Sequence, residues 1–272
     1  MSLLDKASLV LTPNGYKESK LYSFIPSSGL GDMTVARSTT ATRVNEAGLI
    51  EEAPYNLLTY SEQFDNGAWT KNNTTVTANT TISPNGIQNA DKIIPSINNA
   101  GHYLVQLLSA TNTVSYTYSV FAKKGEIDIL QFSPSISYLT NGGYANFDLT
   151  NGTITASVGG ITASIINFGN NWYKCIFTFT ANATGTGGFA LFMQNSPTAT
   201  RGAGWSSNGT DGLYLYGAQL VQGTVSKPYF PTTDRLNIPQ IDYTDGCPSI
   251  LIEPQRTNLA TYSEQFDNGA WT

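Results

Sequence analysis

The strongest constraint on what this chain folds into is a period of two in its apolar residues. Val114, Tyr116, Tyr118, Val120 and Ala122 alternate with Ser115, Thr117, Ser119 and Phe121. Trp172, Lys174, Ile176 and Thr178 alternate with Tyr173, Cys175, Phe177 and Phe179. Successive side chains of an extended chain point to opposite faces, so this spacing lays one apolar face along a strand. Further apolar runs occupy 103–108, 127–132, 144–149, 161–168, 189–193 and 213–220. Turn formers separate them: Lys124-Gly125, Asn141-Gly142-Gly143, Asn151-Gly152, Gly159-Gly160, Asn170-Asn171 and Gly187-Gly188. About eight or more strands at this spacing cannot bury their aromatic residues as isolated hairpins. The pattern predicts two packed antiparallel sheets, an all-β sandwich of jelly-roll type.

Composition narrows the function. Hydrophobic residues make up 40% of the 272 and aromatics 11%, enough to build a core and to exclude a disordered polymer. Charged residues are 12%, about half the roughly 25% of an ordinary soluble domain. With 14 Lys+Arg against 19 Asp+Glu the net charge is −5, and no basic cluster exists to engage phosphate, so nucleic acid is not an expected partner. No run of about 18 apolar residues predicts a membrane-spanning helix, and no membrane partner is expected. Met1-Ser2-Leu3-Leu4-Asp5-Lys6 lacks the basic and apolar segments of a secretory signal. Cys175 and Cys247 are too few for a metal site, and no disulfide is expected without export.

An internal repeat sets the organisation. Residues 59–70, Thr-Tyr-Ser-Glu-Gln-Phe-Asp-Asn-Gly-Ala-Trp-Thr, recur letter for letter at 261–272. The approaches match as well: Ile50-Glu51 and Asn56-Leu57 parallel Ile252-Glu253 and Asn258-Leu259. The expected divisions are an irregular, β-rich N-terminal segment (1–54), the sandwich (55–232), an extended Pro-rich linker (233–260) and the opening of a second module (261–272). Within 1–54, short strands at 7–11, 21–25 and 33–37 are separated by Pro13-Asn14-Gly15 and Ser27-Ser28-Gly29 turns, with too little apolar mass to be self-sufficient.

Particular stretches resemble a known family. Asn56-Leu57-Leu58-Thr59-Tyr60-Ser61-Glu62-Gln63-Phe64 with Trp69, Tyr116 to Lys123, Asn171-Trp172-Tyr173-Lys174, Leu213 to Gly223 and Pro228-Tyr229-Phe230-Pro231-Thr232 are similar to the carbohydrate-binding-module-like jelly rolls of bacteriophage head and tail fibres. The stretches 1–11, Gly31-Asp32-Met33-Thr34, Ala41-Thr42-Arg43-Val44-Asn45 and Gly48-Leu49-Ile50-Glu51 resemble the leader of appendage proteins from phages of Bacteroidetes hosts. So does the linker around Pro239-Gln240-Ile241-Asp242-Tyr243 and Gly246-Cys247-Pro248-Ser249. The resemblance implies a non-enzymatic virion structural protein, made in the bacterial cytoplasm and carried on the particle surface. Its N-terminus would dock on capsid or tail proteins, and its copies would associate as dimers or trimers. Two alternatives stay open: an adhesin module for host surface polysaccharide, and a capsule depolymerase.

The residues themselves assign no catalytic constellation. His102, the single histidine, stands in a strand-like setting and reads as structural. Carboxylate pairs for glycoside hydrolysis would have to come from Asp91, Glu126, Asp128, Asp148 and Asp211, which sequence does not pair. Asp65-Asn66-Gly67 and Asp211-Gly212 carry oxygens of the kind calcium takes, and related modules hold a structural calcium. Gly217-Ala218 stands where the family places acidic residues, so no metal or cofactor is assigned. Sugars stack their C–H faces on aromatic rings and offer hydroxyls to amides and charged groups. The candidates for that role are Trp205 and Arg201 in the polar loop 194–210, and Tyr138 and Tyr144 beside Asn141-Gly142-Gly143. The competing reading has these aromatics capping the sandwich, and Trp69 and Trp172 read as core. Arg37 and Arg43, flanking a hydroxyl-rich stretch, are the candidate contacts to an acidic virion surface.

Overall fold

The computed structural model describes residues 4–17, 20–35, 41–53, 55–233 and 240–251. Apart from a short 3-10 turn at Leu4–Lys6, its regular structure is all strand. The N-terminal part holds β1 (Val10–Lys17), β2 (Lys20–Ile25), β3 (Met33–Thr34), β4 (Thr42–Val44) and β5 (Ile50–Glu52). The sandwich holds β6 (Thr70–Asn72), β7 (Thr74–Ile82), β8 (Gln88–Pro95), β9 (Tyr103–Ala110), β10 (Ser115–Lys123), β11 (Ile129–Pro134), β12 (Tyr144–Asp148), β13 (Thr153–Val158), β14 (Thr162–Gly169), β15 (Trp172–Thr180), β16 (Gly185–Gln194) and β17 (Leu213–Gln222). A hairpin of β18 (Gln240–Asp242) and β19 (Ser249–Leu251) follows.

Two six-stranded sheets form the sandwich, in the orders β14-β15-β10-β17-β8-β7 and β13-β12-β11-β16-β9-β6. The two segments with the clearest alternation, β10 and β15, are antiparallel neighbours paired from Ser115↔Thr180 to Lys123↔Trp172. Tyr118, Val120, Ala122, Phe177, Phe179, Leu215 and Leu220 of the first sheet share a buried core with Leu104, Leu130, Phe132, Phe147, Phe189 and Leu191 of the second. Each large side chain removed from water contributes about 1.5–3 kcal/mol, so this layer dominates the stability of the fold. The Tyr118 ring lies 5.1 Å from Phe132 and 5.5 Å from Phe189. Trp69 belongs to this core. Trp172 is equally buried but lies in a second cluster on the outer face of the first sheet, with Phe121, Tyr216 and the covering Tyr229.

The repeated motif turns out to be the clasp that closes the sandwich. Asn56 donates from Nδ2 to the Ala218 carbonyl (2.9 Å), and its Oδ1 accepts the Leu58 and Leu220 amides (both 3.0 Å). Ser61 accepts the Thr232 amide at its hydroxyl, and its carbonyl accepts the Ala218 amide. Glu62 accepts the Tyr216 and Tyr229 hydroxyls, and Trp69 donates to the Tyr60 carbonyl. The motif thereby ties the start of the module to its closing strand β17 and to the segment beyond it. Gly217 sits in that strand at φ 62, where a Cβ would lie 3.0 Å from the Tyr229 ring. Packing of the Tyr229 ring thus requires glycine at this position.

Several expectations are corrected. Gly187-Gly188 is not a turn but part of β16, where a Cβ would meet Ser135 or Val105 at 2.3 and 2.2 Å. Pro13-Asn14-Gly15 lies inside β1, at an irregularity of its register with β2. The linker span 233–260 is not simply extended: within it β18 and β19 pair, and this hairpin joins the β4–β5 hairpin. Val44 donates to Asp242 Oδ1 (2.8 Å), Tyr243 donates to the Val44 carbonyl (3.0 Å), and Gln240 Nε2 donates to the Thr42 carbonyl. In the described part of 4–53, Leu21 and Ala53 are the buried apolar residues, while Phe24, Leu30, Leu49 and Ile50 are exposed. Arg37 and the second copy of the motif, 261–272, lie outside the described residues.

Candidate functional site

At one end of the sandwich, loops from both sheets line an open cleft of about 280 Å³, formed by Glu126, Ile127, Asp128, Gln194, Asn195, Trp205 and residues 206–208 and 211. The short connection from β10 to β11 supplies Glu126 and Asp128, the end of β16 supplies Gln194, and the long loop before β17 supplies the rest. Two features hold that loop. Its first half lies on the second sheet, pinned by the buried amides Gln131 and Asn146: Gly202 donates to Gln131 Oε1 (2.7 Å) and Asn146 Nδ2 to the Ala199 carbonyl (2.8 Å). Its second half is fixed at Trp205, whose backbone bridges to Ala100 and whose Nε1 donates to the Met193 carbonyl (3.0 Å). The buried His102 ring stands edge-on to the Trp205 indole at 5.2 Å, with Nε2 2.8 Å from the Trp205 carbonyl.

The charges are unevenly compensated. Glu126 Oε2 accepts Lys92 Nζ (2.8 Å) and the Gly212 amide (3.1 Å); the bond to Lys92 holds the carboxyl below its ordinary range and the lysine above its own. Asp128 accepts the Thr150 hydroxyl (2.9 Å), to which Lys124 also donates (3.3 Å). Asp211 contributes a third carboxylate. Beneath the cleft lies Gln194. It is fully buried, and neither its Nε2 nor its Oε1 has a hydrogen-bond partner. A buried amide left unpaired costs about 1–3 kcal/mol, and the buried Tyr118 and Ser133 hydroxyls are left unpaired in the same way. Two further cavities, about 210 Å³ beside Arg43 and Tyr229 and about 360 Å³ beside Trp172, have no unpartnered buried polar atom in their linings.

Of the four candidate sugar contacts, Trp205 lines this cavity and is half-buried. Arg201 is exposed but bonded to the Pro134 carbonyl (2.9 Å), outside the lining. Tyr144 is half-buried in β12, opposite Val158. Tyr138 is a correction: it is fully buried, stacked on Phe189 at 5.5 Å, with its hydroxyl donating to the Gly188 carbonyl, so no ring face is left for a sugar. Arg43 is corrected as well. Its Nε and Nη2 donate to Glu51 and its Nη1 to the Ile241 carbonyl, so the guanidinium joins the two hairpins instead of facing outward. Among the carboxylates, Glu126, Asp128 and Asp211 come together, while Asp148 caps the Thr150 and Asn151 amides and Asp91 is buried beside Phe64. Among the described residues no group of three or more His, Cys, Asp or Glu is placed to hold a metal. Sequence reasoning missed Gln194, because a glutamine at a strand end next to a polar loop carries no signal of burial.

No protein-family model matches the chain, and no curated protein does. Solved structures to which the chain shows a partial likeness include the enzymatically active domain of tailspike protein 4 from bacteriophage CBA120, at 15% identity and TM-score 0.37 over 61% of this chain and 21% of that one. Another is the CBM22-1-GH10 portion of Clostridium thermocellum xylanase 10B complexed with xylohexaose, at 14% identity and TM-score 0.35 over 65% of this chain and 29% of that one. The chain thus corresponds to less than a third of the length of either.

Proposed function

We propose that this chain is a non-enzymatic structural protein of a bacteriophage particle, a fibre or decoration appendage that docks through residues 1–54 and projects β-sandwich modules outward. The observation that carries this reading is the clasp. The motif that closes the sandwich between Asn56 and Trp69 recurs from Asn258 to Trp271 with Ala260 in place of Leu58, after a second hairpin. A chain in which one closing motif recurs is organised as serial modules, an arrangement suited to reach and multivalent display. The thin core of the N-terminal part, with Phe24 and Leu30 exposed, supports a segment completed by contact with a capsid or tail protein. Association of copies as dimers or trimers belongs to the same reading.

The test is incorporation. Particles produced with the full chain carry it through purification, whereas a version comprising 55–272 folds and stays in the soluble fraction. Leaderless protein recovered on particles at full occupancy contradicts the docking role. A second reading, recognition of host surface polysaccharide by the sandwich, is favoured by the half-buried Trp205 ring in the lining of the loop-end cleft.

A further inference from the structure

We propose that strand β14 is the surface through which two copies of this chain pair, edge to edge; this rests on the association of copies proposed above and names its interface. β14 is the last strand of its sheet, and among the described residues its one strand partner is β15. The backbone groups on its free side are a template for a further strand. Each of the two large sheets ends in two such edges, and the other three are blunted. β6 is 3 residues long. β7 breaks its register with β8 between Thr77 and Thr81, where Asn79 turns to φ 55. β13 has 6 residues and a register break against β12 at Asn146 and Phe147. β14 has 8 residues and pairs with β15 without a break from Thr162↔Thr178 to Asn167↔Tyr173.

The side chains select a second copy as the occupant. Ala163 and Ile165 pack against the core, so alternation puts Thr162, Ser164, Ile166 and Phe168 on the outer face. Ile166 is 47% and Phe168 50% exposed. No charged residue and no proline occurs from 149 to 173, so this edge lacks the devices that repel a further strand. A strand meeting its own copy across a two-fold axis sets each side chain near the axis against itself, and a charge there would face its like. An uncharged edge is what self-pairing demands; a strand of another protein makes no such demand. Antiparallel pairing centred on Ile166 sets that residue against its own copy and Phe168 against Ser164, joining the six-stranded sheets of two copies. Centring on Ile165 would put Ile166 opposite Ser164 and lose the apolar pair. With the other edges blunted, the assembly closes as a dimer and does not grow into a filament.

The experiment is sedimentation velocity of the full chain over a range of micromolar concentrations, with a two-copy mass expected. Ile166→Lys and Ile166→Glu each weaken pairing at least about tenfold, because like charges then meet at the axis. Mixed in equal amounts, the two variants recover the two-copy mass. Ser164→Lys, at an exposed hydroxyl on the same face, weakens pairing without disturbing any buried contact, and Thr75→Lys on the β7 edge leaves pairing as it was. Melting temperatures match that of the unaltered chain throughout. A single-copy mass for the unaltered chain overturns the inference, whereas docking on the particle is decided separately by incorporation. A three-copy mass overturns it, as do Ile166 and Ser164 variants that pair normally. Loss of pairing in both Ile166 variants without recovery in their mixture overturns the two-fold contact and assigns β14 to a different protein.

Discussion

Replacing Asn56 with alanine is the most demanding test of the clasp. The side chain is fully buried and serves three backbone groups at once: the Ala218 carbonyl, the Leu58 amide and the Leu220 amide. Truncation leaves all three without this partner, at about 1–2 kcal/mol each where water enters the gap only partly. The expected loss is about 3–6 kcal/mol, a large share of the roughly 5–15 kcal/mol that holds a typical domain. In urea unfolding followed by tryptophan fluorescence, with a slope of about 2 kcal/mol per molar, the midpoint moves down by about 1.5–3 M. Asn258→Ala, in the second copy of the motif, leaves that transition where it is. A loss below about 1 kcal/mol for Asn56→Ala refutes the reasoning, because it means that β17 is held without the clasp.

Three further outcomes follow from the buried polar groups. Burial pushes the Asp91 carboxyl from 3.8 up to about 6, against the lowering effect of the Asn79 and Phe64 amides. The folded state therefore binds the proton more tightly than the unfolded one, and stability falls by about 3 kcal/mol as pH rises from about 4 to 6. Asp91→Asn flattens this slope in melts across the window. The other shifted carboxylates, such as Glu126 and Asp148, are held low, and their contribution is lost only as pH falls below the usual carboxylate range. Tyr118→Phe removes a buried hydroxyl that has no partner and raises stability by about 1 kcal/mol in the same urea assay. Cys175 is buried, and burial pushes its thiol up, whereas Cys247 is exposed. A thiol reagent titrates one equivalent in the native protein and two in denaturant.

Strands whose inner face carries large apolar residues were legible: β9, β10, β12, β15 and β17 lie within a few residues of their apolar runs, although β10 and β17 are buried on the outer face as well, and so does the edge strand β14. Strands β6, β7, β8 and β13 were not. An edge strand such as β7, built of Thr and Asn, buries little and needs no apolar period. Two misreadings share one physical cause. Gly187-Gly188 looked like a turn and Tyr138 like an exposed ring, yet the bare backbone of β16 is what lets Tyr138 pack beneath it. A Cβ on Gly187 would lie 3.2 Å from Tyr138 Cε1. Of the site, Trp205 was legible as an aromatic in a polar loop. The pairing of that loop with Glu126, Asp128 and Gln194 depends on the crossing of chain between sheets, and no local pattern encodes it.

The measurement that bears most directly on the proposed role is electron cryo-microscopy of purified particles carrying this chain with a C-terminal label. The account predicts label at regular, symmetry-related sites on the particle surface, two or three copies to a site, standing away from the point where the N-terminal part meets the capsid or tail. Particles free of label, with the protein in the soluble fraction of the lysate, would contradict it.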